Sequence, residues 1–261
     1  TDDGGSTDDG GSTDDGGSTD GGSSIFCLPV WDASALQASY CFGDYRSEMS
    51  LSSFPSKNGG PDFELKSDIA PMGPVEPAPI VGGGLALDQK HFVSLDADFI
   101  TICGAANAIT AEVIFESAFD QLSAQGYPRR ILDLRAGQSE EQELLLIGTN
   151  NAANAVVFRS VSQLSEEYPI IAGTRMYAAA SAGESGYHGL VASSAAGTLD
   201  SFALEPVDFA AITHDGPSIT IGNTVGPTRS WSGLVYSMSI SCHAATPEEL
   251  EARRDLAFPP P

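Results

Sequence analysis

The sequence predicts an all-β protein, an antiparallel β-sandwich with a low-complexity N-terminal tail and a short C-terminal helix. Three observations carry this. Val-, Ile- and Ser-rich runs recur and are cut by turn formers, with 28 Gly and 16 Pro in 261 residues. Two stretches alternate at the period of a strand. Helix-start signals gather at one place, just before the C-terminus.

Taken in order, Leu85-Ala86-Leu87 and Phe92-Val93-Ser94-Leu95 read as short strands. Thr110 to Phe115 alternates, with Ala111, Val113 and Phe115 on one face and Glu112, Ile114 and Glu116 on the other. Ile131 to Leu134, Leu144 to Ile147, Val156 to Phe158 and Ile219 to Ile221 add further strands between Gly, Asn and Pro clusters. Over 234–242, Leu234, Tyr236, Met238, Ile240 and Cys242 fall on one face, with Val235, Ser237, Ser239 and Ser241 on a wet one. The spacing predicts a helix over Pro247 to Leu256, with Thr246 as N-cap, Pro247 at the first position and Glu249 three beyond the cap.

Ahead of this lie two different regions. Residues 1–24 repeat Thr-Asp-Asp-Gly-Gly-Ser three times, then decay, and hold no apolar residue. Such a segment buries too little surface to offset its backbone entropy, so the expectation is a flexible spacer. Ser6, Thr7, Ser12, Thr13, Ser18 and Thr19 are candidate O-glycosylation sites. The aspartates could attract Ca2+, but the repeat lacks the apolar position of a calcium β-roll. Residues 25–79 read as a separate Cys-containing extension ending in a stiff Pro-rich linker at 71–79.

The formal charge is −23, from 35 acids against 12 bases, and seven of the acids lie within the first 20 residues. A surface this negative repels phosphate backbones and anionic lipid, which argues against nucleic acid or membrane as partner. No run approaches 18 apolar residues, so no membrane-spanning helix is expected. The chain starts at Thr1 with no signal peptide, which suggests a processed or truncated end. The four cysteines, Cys27, Cys41, Cys103 and Cys242, have no zinc spacing. Either they are buried thiols or, as expected for an extracellular or cell-surface protein, two disulfides. Cys27 with Cys41 is the economical local pair.

The order of motifs from residue 80 to 250 resembles the laminin-G-like, concanavalin-A-like jelly rolls. Gly84-Leu85-Ala86-Leu87-Asp88 with Phe92-Val93 is similar to their opening strand pair. Ile109 to Phe115 is similar to the next strand, with Phe115 near the family's Trp. Ile219-Thr220-Ile221-Gly222-Asn223 and Trp231 to Ile240 are similar to the closing signature. Pro247 to Leu250 resembles the family's terminal helix, leaving 251–261 as a C-terminal tail. The resemblance implies a jelly roll whose first and last strands lie side by side, which would bring Cys103 to Cys242. It also implies glycan-binding, adhesive or glucanase relatives.

Catalysis is not expected. The glucanase pattern sets two glutamates around an aspartate, and Glu112 to Glu116 lacks it. Four residues of strand also separate Cα atoms by roughly 13 Å, against about 5–9.5 Å between paired glycosidase carboxyls. Gly183-Glu184-Ser185-Gly186-Tyr187 is no nucleophile elbow, and Gly82-Gly83-Gly84 precedes a strand, unlike a phosphate loop. His91, His188, His214 and His243 show no metal-ligand spacing. For a sugar ligand, Trp231, Tyr187 and Tyr177 could stack on rings, and Asn150, Asn151 or Asp215 could bond hydroxyls.

The leading expectation is a non-catalytic subunit of an extracellular assembly, a homopolymer or filament, with a monomeric glycan-binding domain as the alternative. In the first reading Ile25, Phe26, Leu28, Val30 and Trp31 anchor the chain on a neighbouring copy by strand addition. Each could contribute roughly 1.5–3 kcal/mol on full burial.

Overall fold

The structure is a computed structural model that describes residues 27–31, 37–44, 53–66, 80–87, 92–95, 97–117, 129–137, 139–161, 163–171, 173–184, 186–195, 197–222 and 231–258. The chain begins with β1 (Gln37–Cys41), β2 (Ser53–Phe54), β3 (Phe63–Lys66), β4 (Ile80–Val81), β5 (Gly84–Leu87) and β6 (Phe92–Leu95). A helix, α1 (Ala97–Ala106), leads into β7 (Ala108–Ser117), β8 (Arg129–Arg135), β9 (Glu143–Thr149) and β10 (Ala155–Ser160). Then come β11 (Gln163–Leu164), β12 (Tyr168–Pro169), β13 (Met176–Gly183), β14 (Gly186–Ser193) and β15 (Gly197–Leu204). The last elements are β16 (Ser218–Ile221), β17 (Gly233–Ser241) and α2 (Pro247–Ala257).

The strands form two antiparallel sheets packed face to face. The first runs β15-β14-β13-β7-β17-β5-β4, with β1 also on β17; the second runs β11-β10-β9-β8-β16-β6-β3-β2, with β12 also on β10. Their inner faces supply one core. Val113, Phe115, Met238 and Ile240 of the first sheet meet Leu134, Ile147, Phe158 and Ile219 of the second. Trp231 stands edge-on to Phe115 at 6.0 Å between ring centres and is fully buried. Gly82 and Gly83 both take positive φ, 57° and 81°, and close the two-residue hairpin from β4 to β5.

The extension is part of the sandwich. β1 pairs with β17 from Gln37 opposite Ser241 to Cys41 opposite Ser237, and β3 pairs with β6 in the second sheet. The expectation of a separate 25–79 region therefore fails for its described residues, while the linker at 71–79 and the tail at 1–24 lie outside them. The helix also runs on to Ala257, so 251–257 is not a tail.

Three further corrections have physical causes. First, β17 is not alternating throughout. Val235 faces Phe115 but Ser237 faces Ile114, so Tyr236 is an extra, bulged residue. The bulge flips the phase, placing Val235 with Met238 and Ile240 in the core and Leu234 and Tyr236 on the outer face. That face is also dry, because Ser237, Ser239 and Ser241 are fully buried.

Second, α1 has no sequence signature. It buries Ile100 and Cys103 one turn apart yet leaves Ile102 half exposed, and the bond from Cys103 to Cys242 ties it to the residue after β17. Third, β13 reads poorly as a strand because Met176–Gly183 is Ala-rich. Small residues serve here through packing rather than strand propensity. Gly189 of β14 lies against the Phe202 ring, in space that a Cβ would fill.

Candidate functional site

Each sheet turns an outer face away from the core, and each outer face holds a buried carboxylate. On the first sheet that carboxylate is Glu112. It accepts from Arg253 Nε at 3.1 Å, from Arg253 Nη2, and from Tyr177 Oη at 2.9 Å. Arg253 reaches it from α2, whose capping box is closed by Thr246 and Glu249. The same guanidinium lies 4.1 Å over the Trp31 ring and donates to the Val30 carbonyl at 3.3 Å. Gln37 bonds both backbone groups of Trp31, and Leu28 N donates to Ser237 Oγ. Burial pushes the Glu112 carboxyl up, with Arg253 and Tyr177 opposing that shift.

Helix α2 and residues 27–31 therefore form a lid over the first sheet. Leu28, Trp31, Ile114, Tyr177, Leu190, Tyr236 and Leu250 make a second apolar cluster beneath it. Beside the lid runs a groove of about 220 Å³ between α2 and β14–β15, whose lining includes His188, Ser201, Pro247 and Glu251.

The second sheet's outer face is different in kind. Pairing sets Arg130 opposite Gly148, Asp133 opposite Leu146 and Arg135 opposite Glu143 on the face away from the core, with Arg159 opposite Leu146 from the next strand. Glu143 Oε1 lies 2.6 Å from Arg130 Nη2 and accepts from Arg135 Nη2 at 3.0 Å, and Oε2 lies 3.4 Å from Arg159 Nε. Asp133 Oδ2 lies 3.0 Å from Arg135 Nε and 3.5 Å from Arg130 Nε. The side chains of Arg130, Asp133 and Glu143 are fully buried, whereas those of Arg135 and Arg159 are 9% and 15% exposed. Burial and the charge of Asp133 push Glu143 up to about 7 against the pull of Arg130 and Arg135.

This set was not recognised in the sequence. The one available signal was that Arg129, Arg130, Arg135 and Arg159 are four of only twelve bases in a strongly acidic chain. The residues that were singled out lie elsewhere. Trp231, Tyr187 and Tyr177 are fully buried and cannot stack on a ligand. Asn150 is tied to Asn154 and Glu167, while Asn151 and Asp215 are exposed in loops. Glu116 accepts from Tyr236 Oη at 3.0 Å. His243 stands edge-on to Trp31 at 4.7 Å, His214 packs against Gly104, and His91 lies outside the described residues.

Cys27 is bonded to Cys41 and Cys103 to Cys242. Of the expected assembly anchor, Leu28 and Trp31 are buried within their own chain, which leaves neither to dock on a second copy, and Val30 is exposed. Ile25, Phe26 and the six Ser/Thr of the repeat lie outside the described residues. Among the described residues no group of three His, Cys, Asp or Glu could hold a metal, and no helix is long and apolar enough to cross a membrane.

No family model and no curated protein matches the chain. Solved structures do. A Trypanosoma rangeli sialidase aligns over 89% of this chain at 13% identity and a TM-score of 0.59, but this chain spans only 36% of the sialidase's length. Domain 4 of AbnA, an extracellular arabinanase of Geobacillus stearothermophilus solved in complex with arabinotriose, aligns over 84% of this chain and 98% of its own. There the identity is 15% and the TM-score 0.51. A sialidase CBM40 of Ruminococcus gnavus, bound to α2,3-sialyllactose, aligns over 65% of this chain at 13% identity and a TM-score of 0.44. The first two place the chain in an all-β sandwich architecture that also occurs in carbohydrate-active proteins.

Proposed function

We propose that the chain is a non-catalytic carbohydrate-binding β-sandwich whose ligand lies on the outer face of the second sheet, over Arg135 and Arg159. The observation that carries this reading is the ion-paired set on that face, a buried network whose most accessible guanidinium, that of Arg159, is 15% exposed. The first sheet's outer face is covered instead by its own helix and N-terminal segment. Buried charge costs several kcal/mol per ion unless it is well paired, so a network of this kind on an otherwise apolar sheet calls for a reason beyond stability. The arabinanase domain supports the reading as a sandwich of this shape in complex with a saccharide.

The non-catalytic half of the proposal rests on the carboxylates. Glu112 lies beneath the lid and is bonded to Arg253 and Tyr177, Glu116 is bonded to Tyr236, and Asp133 and Glu143 are held by guanidiniums. None of the four is a free acid beside a free base. Two disulfides suit an oxidising compartment, which supports an extracellular or cell-surface location.

Affinity electrophoresis of the full chain through gels cast with a panel of neutral and acidic polysaccharides tests the reading. Retardation by at least one polysaccharide, lost in Arg159→Ala, is expected. Free migration in every gel, or retardation that Arg159→Ala leaves intact, would remove the assignment.

A further inference from the structure

The first sheet ends at β15, whose free edge is open to a further strand. Just past β15, Glu205 N–H donates to Gln163 Oε1 and the Glu205 carbonyl accepts from Gln163 Nε2, both at 3.1 Å. The amide of a side chain from β11 thus occupies that position as an added strand would. Further back along the edge, Ser201 N–H turns away from β14 and donates to Asp200 Oδ1 at 2.8 Å. By the two-residue period of a strand, Ala203 between them turns both its N–H and its carbonyl outward. Among the described residues nothing bonds to that pair, and Ala203 is exposed. An edge of this kind accepts an extended peptide by main-chain pairing.

The same edge opens onto the groove beside α2. Ser201 and Ala203 form its near side, with His188 and Leu190 of β14 next to them and Leu250 and Glu251 of α2 opposite. Both β15 side chains are small, so a side chain carried in on an added strand meets about 220 Å³ of space. The Glu251 carboxylate is exposed and has no hydrogen bond or ion pair among the described residues. Asp200, Glu205 and Glu248 are exposed too. No Lys or Arg occurs between Arg175 and Arg229, and Arg254 of α2 is held by Asp255.

We infer that this edge receives an extended, lysine- or arginine-bearing segment of another protein, paired to β15 at Ala203 with a cationic side chain in the groove. The apolar stem of such a side chain lies on Leu190 and Leu250, and its charged end meets Glu251. Asp200 guards the edge against uncharged strands by holding Ser201 N–H, and an incoming cation draws that carboxylate away. A second copy is the wrong occupant. Pairing β15 with itself would set Asp200 and Glu205 of two chains, each of formal charge −23, against one another. The site is independent of the saccharide face on the second sheet.

Nitrogen-15 NMR of the full chain tests this, titrated with a capped hexapeptide that alternates lysine and valine. Two controls accompany it, a glutamate–valine hexapeptide and the lysine–valine peptide N-methylated along its backbone. The Ala203 amide and the His188 ring should shift saturably with the first peptide, which should bind about tenfold tighter than either control. N-methylation removes the main-chain donors and keeps the charges, so it separates strand addition from attraction alone. Glu251→Lys should weaken the lysine–valine peptide by roughly fivefold with an unchanged thermal midpoint. Equal binding of the acidic peptide, or of the N-methylated one, would overturn the proposal. So would silence at Ala203 and His188 with every peptide. Shifts at Ala203 that grow with protein concentration in the absence of peptide would make the occupant a second copy and overturn it as well.

Discussion

The outer faces of the two sheets solve the same problem in opposite ways. Each keeps a glutamate out of water and each holds it with arginine. Glu112 is met by one guanidinium, delivered from a helix 141 residues further along the chain and roofed by the Trp31 ring. Glu143 is met by three, all from its own sheet, of which only Arg159 is more than a tenth exposed. In the first case the ion pair joins three separate pieces of chain, so its work is finished when the protein has folded. In the second the charges bind together strands that main-chain pairing already joins, so folding alone gives them little to do. A buried ion pair is weak evidence of stabilisation in itself, and the question is what else it connects.

That contrast can be broken most sharply at Arg253. Replacing it with Met would strand Glu112 in an apolar layer and free the segment 27–31. A loss of about 3–5 kcal/mol in urea unfolding is expected, with saccharide affinity unchanged. Smaller effects, or a loss of affinity, would mean that the lid face is not merely structural. Next comes the staple that fastens the same segment. Cys27 and Cys41 lie 14 residues apart, and the double Ser variant should lose about 3 kcal/mol if the loop-closure account holds. An equal stability after the exchange would show that Leu28 and Trp31 hold the segment unaided.

The second face should answer to pH instead. Folded, Glu143 keeps its proton up to about pH 7, while unfolded it ionises near the ordinary 4.5. Between those values the folded state binds more protons, so stability declines as pH rises and the decline is complete by about pH 8. It should amount to on the order of 2–3 kcal/mol and flatten in Glu143→Gln. A stability that rises over that window would contradict the assignment. Least affected should be Arg159→Ala, whose ion pair is partly exposed and should contribute on the order of 1 kcal/mol. Its large effect should be on binding alone.

Much of the fold was legible because local patterning and tertiary packing agree. Ala111, Val113 and Phe115 face the core as their alternation says, and the Thr246 cap starts the last helix where the capping pattern places it. Legibility ends where one residue shifts the phase. The bulge at Tyr236 reverses which half of β17 is inward, and no composition signal announces it. Two more irregularities, at Arg130/Leu132 and Leu134/Arg135, hide the arginine face in the same way. Arg130 looks out of step with Asp133 and Arg135 along the chain, yet the extra residue Ile131 brings it onto their side, and the extra residue Leu144 sets Glu143 opposite Arg135. Arg159 joins them only through the pairing of β9 with β10. The lid was hidden for another reason. Its ion pair spans 141 residues, and sequence alone does not say which arginine meets a given glutamate.

The proposed ligand site is the outer face of the second sheet, not the region beneath or beside α2. Nitrogen-15 NMR of the arginine side chains during titration with the saccharide that binds reads this directly. The Nε–H signals of Arg135 and Arg159 should move in step with saturation while that of Arg253 and the ring of His188 stay put. Shifts confined to Arg253 and His188, with Arg135 and Arg159 silent, would contradict it.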